Sequence, residues 1–340
     1  MQKRRRIWLW TAVALLAAAL LGGLLVYPLL YDRKAPNFRD TVELYVYPEM
    51  EPLQVRDSIL ASGKVFNARS LRRVFRQVES IRPGHYCIEP SNSSIYVTRM
   101  LRKGWQTPVN LTLSGAIRTP GILARKIGSQ MLVDSAAVAT FALCQDSTGV
   151  APAQLFTRII PDTYQMLWTA SVRDIFTRLF AERDAWWTPE RVAAARGQGL
   201  TPEEASVLAS IVDGETRYVP EQPTIAGVYL NRLRMGMKLQ ADPTVAFCFD
   251  YQLRRILNVH LQVDSPYNTY RNYGLPPGPI SCPPKSCLEA VLHPKSHNYL
   301  YFCADPSFTG SHRFAASYAE HLQNARAFQK ALTERQRNNG

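Results

Sequence analysis

The chain has 340 residues, 46% of them hydrophobic and 20% charged, with a formal net charge of +13. That length can bury one or two real cores, and the composition is that of a folded chain rather than a disordered one. The basic excess suits an acidic polymer or surface, but no zinc-finger, homeodomain or RNA-binding signature is present, so nucleic acid is not an expected partner.

Residues 1–6 form a basic end containing Lys3, Arg4, Arg5 and Arg6. Residues 7–31 follow with no charged side chain, and about 20 such residues span a bilayer as a helix. Trp8, Trp10, Tyr27 and Tyr31 fall where interfacial aromatic belts lie. A cleaved signal peptide is the alternative. Against it, the apolar run is long for a signal segment, and its YPLLY end has no small-x-small cleavage pattern. The expectation is a transmembrane anchor with residues 1–6 cytoplasmic and the chain after 32 outside. Asp32 to Asn37 reads as a short polar linker.

Residues 38–115 alternate in signal. TVELYVYP reads as a strand, DSILASGKVFNARSLRRVFRQV as one or two helices and GHYCIEP as a short strand. SNSSIYVTRMLRKG reads as a helix with a Ser/Asn start and a Gly104 stop, and VNLTLSG as a further strand. This is a small α+β module.

From 116 the pattern turns helical: a helix led by Pro120, another over SAAVATFAL, a long one from Val172 to about Asp184, and one from Pro189 to about Ala195. PDTYQMLW (161–168) lies between the second and third of these helices, and its reading as a turn comes from the resemblance described below. Thr201, Pro202 and Glu204 then make a capping box with proline at the first helical position. Leu208, Ile211, Val212 and Glu215 follow at i, i+3, i+4 and i+7, so a carboxylic acid ends an otherwise apolar stripe. A carboxylate in line with a buried face is costly to ionise, and a raised pKa suits a general acid. The same carboxylate can instead pair with Arg217 or lie in water beyond the helix end. A second helix is expected from Thr224 to about Arg234, with Gly236 as its stop. MKLQADPTV reads as extended, SPYNTYRNYGLPPGPI as a loop with a Pro/Gly-rigid wall, and about 315–334 as a last amphipathic helix. The Trp186–Trp187 pair is left without a role.

Six cysteines occur, at 87, 144, 248, 282, 287 and 303. Cys282, Cys287, His293, His297 and Cys303 lie near one another in sequence, but their spacing fits no zinc template. Some of the six could pair in an extracytoplasmic domain, but buried free thiols and no metal are expected.

ASIVDGET, AGVYLNRLRMGMKLQADPTV, SPYNTY, GLPPGPI and HNYLYFCADPSFTGSHRF, in that order from about residue 209 to 328, resemble the membrane-anchored endolytic murein transglycosylases, the YceG-like (MltG) family. The resemblance implies an α+β catalytic domain over 116–340, a LysM-like module over 38–115, an anchor over 7–31 in the inner membrane, and a periplasmic body. It implies cleavage of the MurNAc–GlcNAc β-1,4 bond of nascent peptidoglycan strands to 1,6-anhydroMurNAc ends, terminating strand elongation, with no cofactor and with peptidoglycan synthases as neighbours. It carries Glu215 over as the sole acid/base, and Asn231, Gln240, Asp242, Tyr267, Asn268 and Tyr270 as residues lining the glycan cleft. His312 could assist or orient, or be structural. Where the family has a second Glu, this chain has Asp213. Two residues from Glu215 is about 200° around a helix, so the two are not expected to share a face. Gly214 between them could loosen the helix. A hydrolytic muramidase and a tethered, non-catalytic wall-binding scaffold are the rival functions. A spacer is the rival reading of the LysM-like module.

Overall fold

The structure is a computed structural model that describes residues 2–338. Met1, at the head of the basic end, and residues 339–340, at the foot of the expected catalytic domain, lie outside the described residues. The chain forms two compact units, one of residues 1–110 with 165–170 and one of residues 111–164 with 171–340.

The first unit opens with α1 (Gln2–Lys34). Its stretch Trp10–Lys34 has 25 residues and reaches a mean hydropathy of 2.3, long and apolar enough to cross a membrane. The expected linker at 32–37 is absent, because α1 runs through it to Lys34. Asp32 is buried, and its carboxylate accepts from Ser70 Oγ at 2.6 Å and from Arg73 Nε and Nη2, each at 2.7 Å. Asn37 is also buried and donates to Ser94 Oγ at 2.8 Å. Asp32 and Asn37, polar residues of the expected linker, each have a partner more than 30 residues away.

Beyond α1 come β1 (Val42–Val46), α2 (Pro52–Ala61), α3 (Ala68–Phe75), β2 (Gly84–Ile88) and α4 (Ser94–Lys103). β1 and β2 pair antiparallel, Val42 opposite Ile88 and Val46 opposite Gly84. The period-2 pattern of β1 turns Val42, Leu44 and Val46 inward. They meet Val55 and Ile59 of α2, Leu71 and Phe75 of α3, and Val97 and Leu101 of α4 in one core. α4 is bounded as its sequence suggests: Ser93 accepts from the Tyr96 N–H, and Gly104 closes the helix at φ 70°. Trp168 packs edge-on against Tyr45 and Tyr47 in this unit.

The chain passes between the units within β3 (Val109–Thr112) and β4 (Thr163–Met166); α5 (Pro120–Gly128), α6 (Ser135–Leu143) and the single turn α7 (Gln145–Thr148) lie between these strands. The expected PDTY turn therefore carries a short strand. The second unit continues with α8 (Val172–Trp186), α9 (Pro189–Gly197), α10 (Pro202–Glu215), α11 (Gln222–Arg234), α12 (Asp242–Cys248), α13 (Lys285–Leu292), the hairpin β5 (Tyr301–Ala304) with β6 (His312–Ala315), and α14 (Tyr318–Asn338). α12 corrects the extended reading of MKLQADPTV: from Asp242 the segment is helical, with Pro243 in its first turn.

The core of this unit joins α10, α11 and α13 through Leu208, Ile211, Val212, Ile225, Tyr229 and Val291. Trp187 belongs to that core, with Trp186 packed beside it under the Arg191 guanidinium, 4.2 Å from the ring centre. All six cysteines are free thiols, Cys282 and Cys287 buried. Cys282 donates to the Ile159 carbonyl and His297 Nε2 bonds the Thr224 carbonyl, so these residues serve separate structural contacts. His312 is held on Glu221: its backbone N–H and its Nδ1 both meet the Glu221 carboxylate at 2.9 Å.

Candidate active site

The site starts from the way α10 is built. Thr201 Oγ1 accepts from the Glu204 N–H at 3.1 Å, and Glu204 Oε2 accepts from the Thr201 N–H at 2.8 Å. Two amides that a helix start leaves unpaired are thereby satisfied. Leu208, Ile211 and Val212 are fully buried, and each such side chain contributes about 1.5–3 kcal/mol. The helix does not loosen at Gly214; it continues to Glu215, and Thr216 then turns extended at φ −147°. Gly214 has a different use. A Cβ there would lie 2.5 Å from Cβ of Pro243, so the missing side chain admits the first turn of α12 against the last turn of α10.

Glu215 stands at this junction on the wall of a cavity of about 940 Å³, which Asp213, Arg217, Gln222, Asp242 and Arg118 also line. The side chain is half-buried. On its protein side the Tyr229 hydroxyl donates to Glu215 Oε1 at 2.5 Å. Loss of water around the carboxyl pushes its pKa up to about 7; the charge of Asp242 pushes the same way, while Tyr229 and Arg232 pull against it. The helix C-terminus, with its partial negative charge, also disfavours a carboxylate there. Burial and the neighbouring carboxyl raise the Tyr229 hydroxyl well above its ordinary value, so it keeps its proton and remains a donor.

Asp213 and Glu215 share the cavity. The 200° separation holds for points along a helix, but here the cavity wraps the helix end and meets both sides. Burial raises the Asp213 carboxyl, opposed by a 3.2 Å bond from Ser281 Oγ and by the charges of Arg217 and Arg118.

The remaining sequence-derived residues divide. Asp242 opens α12 on the cavity wall, and Tyr270 holds it by donating to Oδ1 at 2.6 Å. Burial, then that bond, raises the Tyr270 hydroxyl strongly, so it too stays a donor. Gln240 adopts φ 49°, and its N–H donates to the Thr269 carbonyl at 3.1 Å. Thr269 Oγ1 accepts from the next amide, Ala241, at 2.9 Å, so the SPYNTY loop is stapled to the start of α12. Asn268 is fully buried and gives its amide to the carbonyls of Leu261 and Val263. Asn231 gives its amide to the carbonyls of His297 and Tyr299. Tyr267 packs its ring 4.5 Å from that of Phe247. These last three side chains shape loops, and neither they nor Gln240 line the cavity that holds Glu215.

Tyr229, Gln222, Arg118 and Arg232 are site residues that sequence reasoning missed. Tyr229 follows Ile225 and Ala226 on the buried face of α11. A hydroxyl on such a face needs a partner, which was the available signal.

The profile of the YceG-like family matches residues 45–327, a span that includes the whole cavity. The chain belongs to the YceG-like family. It is 42% identical over 114 residues to the endolytic murein transglycosylase of Bacillus subtilis, covering 34% of this chain and 31% of that protein. It is 25% identical over 283 residues to the endolytic murein transglycosylase of Streptococcus pneumoniae, covering 74% of this chain and 51% of that one. This YceG-like chain therefore spans about a third and about half of the length of these two curated relatives. A crystal structure of a YceG-like protein from Listeria monocytogenes superposes with a TM-score of 0.55 at 26% identity, over 84% of this chain and 99% of that one.

Proposed function

We propose that this chain is an endolytic lytic transglycosylase of peptidoglycan, with Glu215 as its single acid/base. The observation that carries the reading is a half-buried carboxyl with a pKa near 7, held by a buried tyrosine on the wall of a cavity large enough for sugar rings. The names of the Bacillus and pneumococcal relatives support the same reading.

The chemistry follows from the two oxygens. Oε1 accepts from Tyr229, which leaves Oε2 to carry the proton. Near neutral pH a large share of the molecules are protonated, so Glu215 can give that proton to the glycosidic oxygen between MurNAc and GlcNAc as oxocarbenium character builds on the sugar. The resulting carboxylate, stabilised by Tyr229 and Arg232, then takes the proton of the muramic C6 hydroxyl, which closes on C1. The product is a 1,6-anhydroMurNAc end, with no water consumed. Asp242, held by Tyr270, would face the same glycan. Asn231, Gln240, Tyr267 and Asn268 would support the loops around it.

The finer picture belongs to the same proposal. The apolar helix would span the inner membrane once, basic end inside and both units in the periplasm. There the enzyme would meet nascent strands near their synthases and end their elongation. The first unit would be the LysM-like module over about 38–115, a reading supported by its strand–helix–helix–strand order, and the second the catalytic domain. Asp213 is the observation that favours a rival. A second carboxylate on the cavity could activate water, which would make the enzyme a hydrolytic muramidase.

Mass spectrometry of glycan released from peptidoglycan by the chain and by Glu215→Gln tests this. Anhydromuramic ends from the parent and none from the variant are expected. Reducing muramic ends would replace the transglycosylase with the hydrolase. Bound but uncut glycan would leave a scaffold.

A further inference from the structure

The cavity holds a polar group that the acid–base step leaves unused. Gln222 opens α11 and lines the same cavity as Glu215, yet the residue is only 3% exposed. Its carboxamide oxygen Oε1 is buried, and among the described residues no donor reaches it. A buried acceptor without a donor costs about 1–3 kcal/mol, and folded proteins rarely keep one without a use. Its two neighbours in the chain cannot supply a donor. The Glu221 N–H already donates to the Tyr218 carbonyl at 3.0 Å, and Pro223 has no N–H.

We propose that Gln222 binds substrate, its carboxamide turning toward the cavity as the glycan enters so that Oε1 accepts the acetamido N–H of an N-acetylated sugar seated beside Glu215. This rests on the glycan-cleaving reading above. The acetamido group is the fitting donor because it brings an apolar methyl with it. Val219, Pro243 and Ala246 line the same cavity and give that methyl an apolar wall. A ring hydroxyl would satisfy Oε1 but make no use of that wall. Held there, the sugar would be positioned relative to the proton on Glu215 by its 2-substituent, and the site would read N-acetylation directly.

The test is calorimetric binding of tetra-N-acetylchitotetraose and of its ester analogue, which carries 2-acetoxy groups and lacks only the N–H. The protein is the full chain carrying Glu215→Gln, which prevents turnover. The acetamido ligand should bind about tenfold more tightly, the size of one neutral hydrogen bond left unmade in a buried site. With Gln222→Leu or Gln222→Met added, the two ligands should bind equally. Equal binding with Gln222 intact would overturn the proposal without any variant. So would a tenfold preference that persists in a folded Gln222 variant, or no binding of the acetamido ligand at all. Parallel product analysis of the parent keeps the two ideas apart. Acetamide selectivity without anhydro products would retain this subsite and remove the transglycosylase. Anhydro products without selectivity would do the reverse.

Discussion

The Tyr229 hydroxyl meets Glu215 Oε1 at 2.5 Å across the junction of α10 and α11. It is a donor to the charged form, so it lowers a pKa that burial has raised. Tyr229→Phe removes that donor and sends the Glu215 pKa further up. A hydrogen bond to a charged group is worth about 1.5–3 kcal/mol, equivalent to about one to two pKa units. The alkaline limb of the pH–rate profile should move up by about one unit, and kcat should fall about tenfold as the carboxyl loses its orientation. An unmoved limb would mean that the bond does not act on the reacting carboxyl.

Glu215→Gln should stabilise the protein, and only on the alkaline side. The folded pKa of about 7 lies above the ordinary 4.5. Below 4.5 both folded and unfolded chains hold the proton, and there is no cost. Between 4.5 and 7 the unfolded chain ionises first, so stability falls as pH rises; above 7 the loss is complete. The shift corresponds to about 3 kcal/mol, nearer 2 with the solvent that reaches the half-buried side chain. Urea melts of parent and variant should coincide near pH 4 and separate by that amount at pH 8. Separation at both pH values would point to packing instead.

Gly214→Ala should displace α12. Its new Cβ would lie 2.5 Å from Cβ of Pro243, next to Asp242 on the cavity wall. Such overpacking costs about 1–3 kcal/mol, and cleavage should fall with the melting temperature. Gly197→Ala is the control. It ends α9 with open space around the added carbon, and it should leave stability equal or slightly raised.

Thiol reactivity should be ordered. Hydrogen bonds from Ser147 lower the Cys144 thiol, while burial raises Cys282 far above its ordinary value and Cys287 strongly as well. Cys144 should react first with a disulfide reagent at neutral pH, and Cys282 and Cys287 only after denaturant is added. Peptide mapping of the labelled protein gives the order; native labelling of Cys282 would contradict its place in the core.

What could be read from the residues was local. The Thr201 capping box, the Leu208–Ile211–Val212 stripe and the Ser93–Gly104 helix all have their partners within a few positions. The rest depends on contacts that no window contains. Asp32 looks like a linker residue until Arg73, 41 positions on, is placed beside it. Asp213 looks turned away from Glu215 until the helix end is seen to stand inside the cavity. Asn231 and Asn268 carry the right groups for sugar recognition, but nearby carbonyls take them first. The same limit hid Tyr229, whose partner lies on another helix.

The joint between α1 and the first unit has a mechanical consequence. Asp32 is clamped by Ser70 and Arg73, and the Arg33 carbonyl accepts from Ser93 Oγ at 3.0 Å. On the proposed topology, the helix is therefore a mast stepped into a socket rather than a mooring line. Tilt or axial rotation of that helix would then carry the rest of the first unit with it. Membrane thickness, which acts on helix tilt, would then bear on the orientation of this unit, an influence that a slack tether would filter out.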